Sequence, residues 1–322
     1  MTYSRITGTG RYLPEKVLTN FDLEKMVDTT DEWIRTRTGV ERRHCVAEDQ
    51  TTSDMCVEAA RLALESAGVK PTDIDMVIVG TTSPDLVFPN VGTIVQHRLG
   101  IPACPAVSLE AACTGFIYAL STADKFIRAG DVKRALVLGA ECITKLIDWS
   151  DRNTCVLFGD GAGAVVLERS DEPGILTTHL GADGQYRDLL YYPVGASKDL
   201  AKAGTDEAAI MMTGKEVFKV AVTTLGDVAS RALESAGVSP DELDWLVPHQ
   251  ANIRIIQATA KRLNLPMEKV IVTVQDHGNT SAASVPLALD TAVRDGRIKP
   301  GQLVLMEAFG GGFTWGSVLM RF

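Results

Sequence analysis

No apolar run in this 322-residue chain reaches the ~18–20 residues that a membrane-spanning helix needs. The opening Met1-Thr-Tyr-Ser-Arg5 has no hydrophobic core of a signal peptide, so a cytoplasmic chain is expected. Cysteine is scarce and one-sided. Cys45, Cys56, Cys104, Cys113, Cys142 and Cys155 all fall in the first half, and none forms a C-x-x-C pair. That excludes a disulfide between the halves and a zinc-type cysteine site, and leaves reduced thiols. Positive charge is in deficit, 32 Lys and Arg against 41 Asp and Glu, for a net charge of −9. Neither nucleic acid nor a membrane is therefore expected as a partner. A phosphate-binding glycine loop is missing too. Gly159-Asp-Gly-Ala-Gly163 precedes a predicted strand instead of a helix, which excludes a dinucleotide or P-loop site.

What the chain does contain is an internal repeat. Ala63-Leu-Glu-Ser-Ala-Gly-Val69 recurs unchanged as Ala232 to Val238, an offset of 169 (63 to 232). Pro, acidic residues and an apolar run follow both copies. A looser match pairs Phe126-Ile-Arg-Ala-Gly130 with Ala292-Val-Arg-Asp-Gly296, an offset of 166 (130 to 296). Carried back along the chain, that offset sets Cys113 opposite Asn279. A thiol and an amide are thereby expected at matching points of a duplicated α/β unit, which divides into halves 1–172 and 173–322.

Hydrophobic spacing predicts helices over 53–67, 113–129, 217–236, 252–263 and 281–294. Strands are predicted at 76–79, 106–109, 135–138, 164–167, 245–247, 270–274, 302–306 and 315–321. Such alternation implies largely parallel sheets with helices packed on them. The helix 113–129 is apolar enough to lie between two sheets. Segment 185–215 has weak periodicity and is expected to loop over a site.

Four side chains are candidates for chemistry. Cys113, between a short strand and its helix, meets the unpaired N–H groups and positive dipole end that favour thiolate, so a lowered pKa is expected. Small neighbours (Ala111, Ala112, Gly115) leave room for a carbonyl. His249 ends the strand Trp245-Leu-Val-Pro-His249, where open α/β sheets bind ligands. His277 lies near Asn279 in sequence, and spacing alone does not separate the two histidines. Asn279 precedes a helix and fits either an N-cap or a neutral hydrogen-bond donor. The glycine run Phe309-Gly-Gly-Gly-Phe-Thr-Trp-Gly316 lets backbone amides approach a ligand closely.

Ala111 to Phe116, Pro248-His-Gln-Ala-Asn252, Gly278-Asn-Thr-Ser-Ala282 and the run 309–316 together resemble the β-ketoacyl-acyl carrier protein synthase III family of the thiolase superfamily. The likeness spans essentially the whole chain. It implies a duplicated five-layer α-β-α-β-α fold with two mixed sheets, and an acyltransferase that starts type II fatty-acid synthesis. Cys113 would be the nucleophile, with His249 and Asn279 as the decarboxylation pair. The backbone N–H groups of Cys113 and Gly311 would form the oxyanion hole. A degradative thiolase would carry a second cysteine in 309–316, and an elongating synthase a histidine at 279; this chain has neither. Other Cys-His-Asn condensing enzymes of secondary metabolism, and a non-catalytic acyl-CoA-binding relative, are the alternatives.

The same resemblance implies acyl-CoA and an acyl carrier protein as partners, a homodimer, and no metal or redox cofactor. Trp33, Arg37, Arg152, Gly214 and Asn252 would contact CoA. Gln250, Ala251, Asn252, Ile253, Arg254, Lys261 and Arg262, with Lys215 and Lys219, would form the carrier-docking face. Phe88, from a partner subunit, and Phe309 would shape a short acyl pocket. Glu110 departs from the family pattern; it is expected to point away from Cys113.

Overall fold

The alternation of helices and strands resolves into two mixed sheets around one central pair of helices. The structure, a computed structural model, describes residues 2–205 and 207–322. The first sheet holds β1 (Tyr3–Tyr12), β2 (Met76–Gly80), β3 (Ala106–Leu109), β4 (Arg134–Glu141) and β5 (Gly161–Ser170), in the order β1-β5-β4-β2-β3. The second holds β6 (Ile175–Ala182), β7 (Trp245–Pro248), β8 (Leu303–Gly310) and β9 (Thr314–Arg321), in the order β7-β8-β9-β6. In both, a parallel pair (β2 with β4, β7 with β8) adjoins an antiparallel one (β4 with β5, β8 with β9). The run β2-β4-β5-β1 thus recurs as β7-β8-β9-β6, and the duplication read from the sequence is present in the topology.

Six main helices complete the layers. α1 (Thr52–Ala67) and α2 (Val91–Arg98) cover the outer face of the first sheet, and α4 (Gly214–Ala236) with α5 (Ile253–Arg262) covers that of the second. Between the sheets lie α3 (Gly115–Ala129) and α6 (Ser284–Arg294). On α3, Phe116, Ile117, Leu120, Ala123 and Ile127 are fully buried because sheets close over it from both sides. Each large apolar side chain so buried contributes about 1.5–3 kcal/mol. Two carboxylates moor the central pair to β1. Asp124 accepts from Ser4 Oγ and Arg128 Nε, both at 2.7 Å, and Asp290 accepts from Thr9 Oγ1 at 2.7 Å and Arg294 Nε at 2.9 Å. Among the described residues no helix is long and apolar enough to cross a membrane.

The predicted strand over 270–274 is absent. Val270 makes one parallel bridge to Leu246, and a helical turn, Val274–His277, follows. The cause is Gln250, whose Nε2 donates to the Ile271 carbonyl at 3.0 Å while its Oε1 accepts from Thr273 N at 2.8 Å and Val274 N at 3.1 Å. A side-chain amide takes the place of a neighbouring strand.

The pairing of Cys113 with Asn279 also needs correction. Ala112 (φ 46°) and Ser281 (φ 49°) share an unusual positive φ and each opens a short 3-10 turn, Ala112–Thr114 and Ser281–Ala283. Those turns are related by the offset of 169, the same as the Ala63 and Ala232 segments. The 166 offset arises further along, because α6 has 11 residues where α3 has 15. Cys113 therefore corresponds to Ala282, and Asn279 to Glu110. Hydrogen bonding agrees: Glu110 Oε1 accepts from Ala112 N at 3.0 Å, and Asn279 Oδ1 from Ser281 N at 2.9 Å.

Candidate active site

A Cβ added to Gly80 on β2 would lie 2.3 Å from the Gly115 carbonyl carbon, so strand end and helix start meet backbone to backbone. That contact draws the Cys113 turn onto the end of the sheet. In the second half the equivalent contact joins His249, which follows β7, to Ser284, the first residue of α6, through His249 Nδ1 and Ser284 Oγ at 2.5 Å. Both junctions open on one cavity of about 1090 Å³, and Cys113, His249 and Asn279 all line it. His277 does not. It is buried off the cavity, with its carbonyl against Gly159. The two histidines that sequence spacing left equal are thus separated by position.

Burial sets the charges. His249 is pushed down to about 3 by loss of solvent, so at neutral pH it is an uncharged imidazole able to donate one ring N–H. Asn279 is buried, with its Oδ1 spent on Ser281 N, which turns the Nδ2 end to donation. Cys113 runs against the expectation of a lowered pKa. Burial pushes its thiol up to about 12, opposed by the Ser281 hydroxyl and reinforced by Glu141 and Glu110. The thiol sits in a 3-10 turn ahead of α3 and has lost more solvation than the helix end returns.

The glycine run has a steric reason. A Cβ on Gly310 would stand 2.6 Å from the Cys113 backbone nitrogen, so only glycine lets this strand end face that N–H. Gly311 continues it along the cavity wall.

Trp33 and Arg37 line the cavity, and the Trp33 ring has two guanidinium groups near it, Arg37 at 5.7 Å and Arg152, which is off the cavity, at 5.3 Å from its centroid. Sequence reasoning named this trio, and the fold brings it together. Asn252 caps α5, accepting from Arg254 N at 2.8 Å, and its Nδ2 donates to the Arg37 carbonyl at 3.1 Å. Gly214 begins α4 at the cavity rim beside Lys215 and Lys219. Arg254 stacks over Phe218 at 5.8 Å and faces the same opening. Ala251 lines the cavity, whereas Ile253 is half-buried beneath Gly39.

Two expectations, for Gln250 and Glu110, need revision. Gln250 is 1% exposed with its amide spent on backbone groups, so it supports the loop and presents nothing to a partner. Lys261 and Arg262 are exposed on α5 outside the cavity, and Arg262 pairs with Asp227 at 2.5 Å. Glu110 does not point away; it lines the cavity and its charge bears on Cys113. Phe309 is buried on the cavity wall, 4.6 Å from the Phe313 ring. Phe88 is 83% exposed and absent from its own cavity. Arg187 at the rim was not anticipated; it sits in the weakly periodic segment where no pattern marks single residues. Ser284 was legible in principle, as the repeat partner of Gly115.

Comparison with known proteins agrees with this geometry. Residues 107–184 match the family described as 3-Oxoacyl-[acyl-carrier-protein (ACP)] synthase III, and 233–322 match that family's C-terminal part. The chain is 61% identical over 322 residues to the Beta-ketoacyl-[acyl-carrier-protein] synthase III of Thioalkalivibrio sulfidiphilus, covering 100% of both. It is 60% identical to the protein of the same name from Xanthomonas campestris, covering 99% of this chain and 98% of that one. The crystal structure of 3-oxoacyl-[acyl-carrier-protein] synthase III from Aquifex aeolicus superposes with a TM-score of 0.93 at 48% identity, over 99% of this chain and 100% of that chain. A thiolase-fold duplication with a thiol, an imidazole and an amide at one cavity, matched in sequence from end to end, establishes that the chain belongs to the 3-oxoacyl-[acyl-carrier-protein] synthase III family, the condensing enzymes that initiate fatty-acid synthesis.

Proposed function

We propose that this cavity takes an acyl group, acetyl by preference, from acyl-CoA onto Cys113 and condenses it with malonyl-acyl carrier protein. The convergence of Cys113, His249 and Asn279 on one cavity carries this reading. The Cys113 sulfur attacks the thioester carbonyl and CoA departs, while the N–H groups of Cys113 and Gly311 hold the oxyanion. Malonyl-acyl carrier protein then loses CO₂. His249 and Asn279 donate to the enolate oxygen, each worth about 3–4 kcal/mol, or ~10²–10³ in rate. The carbanion attacks the acyl-enzyme, giving the β-ketoacyl carrier product. The scheme calls for no metal or redox cofactor and is assigned to the cytoplasm.

Trp33 with Arg37 and Arg152 fits an adenine ring flanked by phosphates, and Gly214 with Asn252 fits the pantetheine arm. The exposed apolar run Leu86 (51%), Val87 (72%) and Phe88 (83%) supports a homodimer in which each Phe88 reaches its partner's acyl pocket. Mass spectrometry after mixing with a ladder of acyl-CoA lengths tests the loading step. A covalent acetyl group on the Cys113 peptide is expected. Binding without adduct would instead support a non-catalytic relative.

Lys215, Lys219 and Arg254 ring the opening of an otherwise acidic protein, which suits an acidic carrier. Arg254→Glu is expected to slow reaction with malonyl-acyl carrier protein by about tenfold or more at low salt, with the wild-type rate falling as salt rises. Acyl loading from acyl-CoA should change little. Equal losses in both half-reactions would place Arg254 in a shared entrance and leave the carrier's dock elsewhere.

A further inference from the structure

The strand ends of the two halves correspond across the duplication. β4 ends at Glu141 and β8 at Gly310, related by the same offset of 169 (141 to 310). Each end faces the turn of the opposite half. Gly310 lies against the Cys113 backbone nitrogen, whereas Glu141 Oε1 accepts from Ser281 Oγ at 3.1 Å. Packing does not call for a carboxylate where the matching position carries no side chain at all. Burying one away from water is costly, yet Glu141 is fully buried. Four further donors hold it from its own half, all on the loop that follows β2. They are Thr82 N at 3.1 Å, Thr82 Oγ1 at 3.0 Å, Thr81 Oγ1 at 3.4 Å and Ser83 Oγ at 2.5 Å. Ser83 Oγ in turn accepts from Cys142 N at 2.8 Å. The carboxylate is thus fixed to the first half and reaches across to the second.

What it grips there is the residue that aims Asn279. Ser281 is buried at φ 49°, a region that a residue with a Cβ keeps only when its surroundings hold it. Its N–H is the donor that Asn279 Oδ1 accepts at 2.9 Å. The Asn279 main chain is fixed separately. Its N–H donates to the Leu157 carbonyl at 2.8 Å, and its carbonyl accepts from Gly159 N at 3.0 Å. The rotation of the amide is then what remains to be set, and the bond to Ser281 N sets it.

We infer that Glu141 is a positioning residue for decarboxylation: through Ser281 it fixes the Asn279 amide, so that Nδ2 meets the enolate oxygen at the cavity. This rests on Asn279 being the enolate donor proposed above. The first half shows what the link adds. Ala112 takes the matching backbone conformation (φ 46°) with no hydroxyl, and its N–H goes to Glu110. The turn itself therefore needs no anchor. A hydroxyl and a buried carboxylate are added only on the side where a neutral amide has to be aimed.

Half-reaction kinetics on full-chain variants test this. Ser281→Ala should fold, as Ala112 does in the matching turn. It should lower CO₂ release from malonyl-acyl carrier protein about tenfold, short of the ~10²-fold that a 1 Å misplacement can cost. Acyl loading from acyl-CoA should change little. Glu141→Met, which offers no acceptor, should give the same split. Glu141→Gln keeps an oxygen for Ser281 and should restore CO₂ release to near the wild-type rate. In an Asn279→Ala background neither Ser281→Ala nor Glu141→Met should cost anything more, because no amide is left to aim. If Glu141→Met does not fold, Ser281→Ala and its cycle with Asn279→Ala decide the question. Equal losses of loading and decarboxylation, a Glu141→Gln variant as slow as Glu141→Met, or full additivity with Asn279→Ala would overturn the inference and leave the proposed function standing. An Asn279→Ala variant that releases CO₂ at the wild-type rate would overturn both.

Discussion

Replacing Cys113 with alanine is expected to lower β-ketoacyl formation by roughly 10⁴–10⁶-fold, the scale found when a covalent nucleophile is deleted. Among the described residues no second thiol lines the cavity. The remaining cysteines, Cys45, Cys56, Cys104, Cys142 and Cys155, are absent from the cavity wall. The substitution removes one sulfur atom beside open space, so melting temperature should shift by only a few degrees. Two readouts separate this loss from general damage. The Cys113 peptide should gain no acetyl, whereas CO₂ release from malonyl-acyl carrier protein should persist, because His249 and Asn279 stay in place. Cys113→Ser should also fail, since burial already pushes the more acidic thiol up to about 12 and a hydroxyl there would stay protonated. Near-native product formation by the alanine variant would rule out the acyl-enzyme scheme.

The sequence was most informative where chemistry needs a rigid local pattern. The repeated Ala63 and Ala232 segments predicted two related sheets, and the apolar stripe of 113–129 predicted a helix buried between them. Both follow from periodicity that solvent exclusion enforces over many residues. Trp33, Arg37 and Arg152 were grouped through family resemblance, and the fold brings them within stacking reach. Single side chains with long-range partners were not legible. Gln250 sits in a motif rich in site residues, yet its role is to replace a strand for 270–274, which no local pattern reveals. The pairing of Cys113 with Asn279 failed because α6 is shorter than α3, so an offset measured at the helix ends does not hold at their starts. The Cys113 acidity was misjudged for a different reason. A helix N-terminus can be read from sequence, but the burial that opposes it comes from elements far apart in the chain.

His249→Ala and Asn279→Ala are each expected to reduce malonyl decarboxylation by about 10²–10³-fold while acyl loading of Cys113 falls much less. The asymmetry follows from what each half-reaction asks of the site. Loading needs a sulfur nucleophile and donors to a tetrahedral oxyanion, and the backbone N–H of Cys113 faced by the glycine run supplies those without either side chain. Decarboxylation leaves an enolate oxygen that must be met by donors in a site closed to water. His249 is buried and uncharged, and its Nδ1 is engaged with Ser284 at 2.5 Å, which fixes the ring and orients the opposite nitrogen. Asn279 cannot titrate, so its donation holds at every working pH. Because His249 lies near 3, the decarboxylation rate should show no histidine inflection between about pH 6 and about pH 8. His277→Ala is the control and should be mild, since that ring lies off the cavity. Rapid mixing with acyl-CoA alone measures loading, and CO₂ release from malonyl-acyl carrier protein measures the second half. Equal losses in both would mean that His249 serves the thiol as a base.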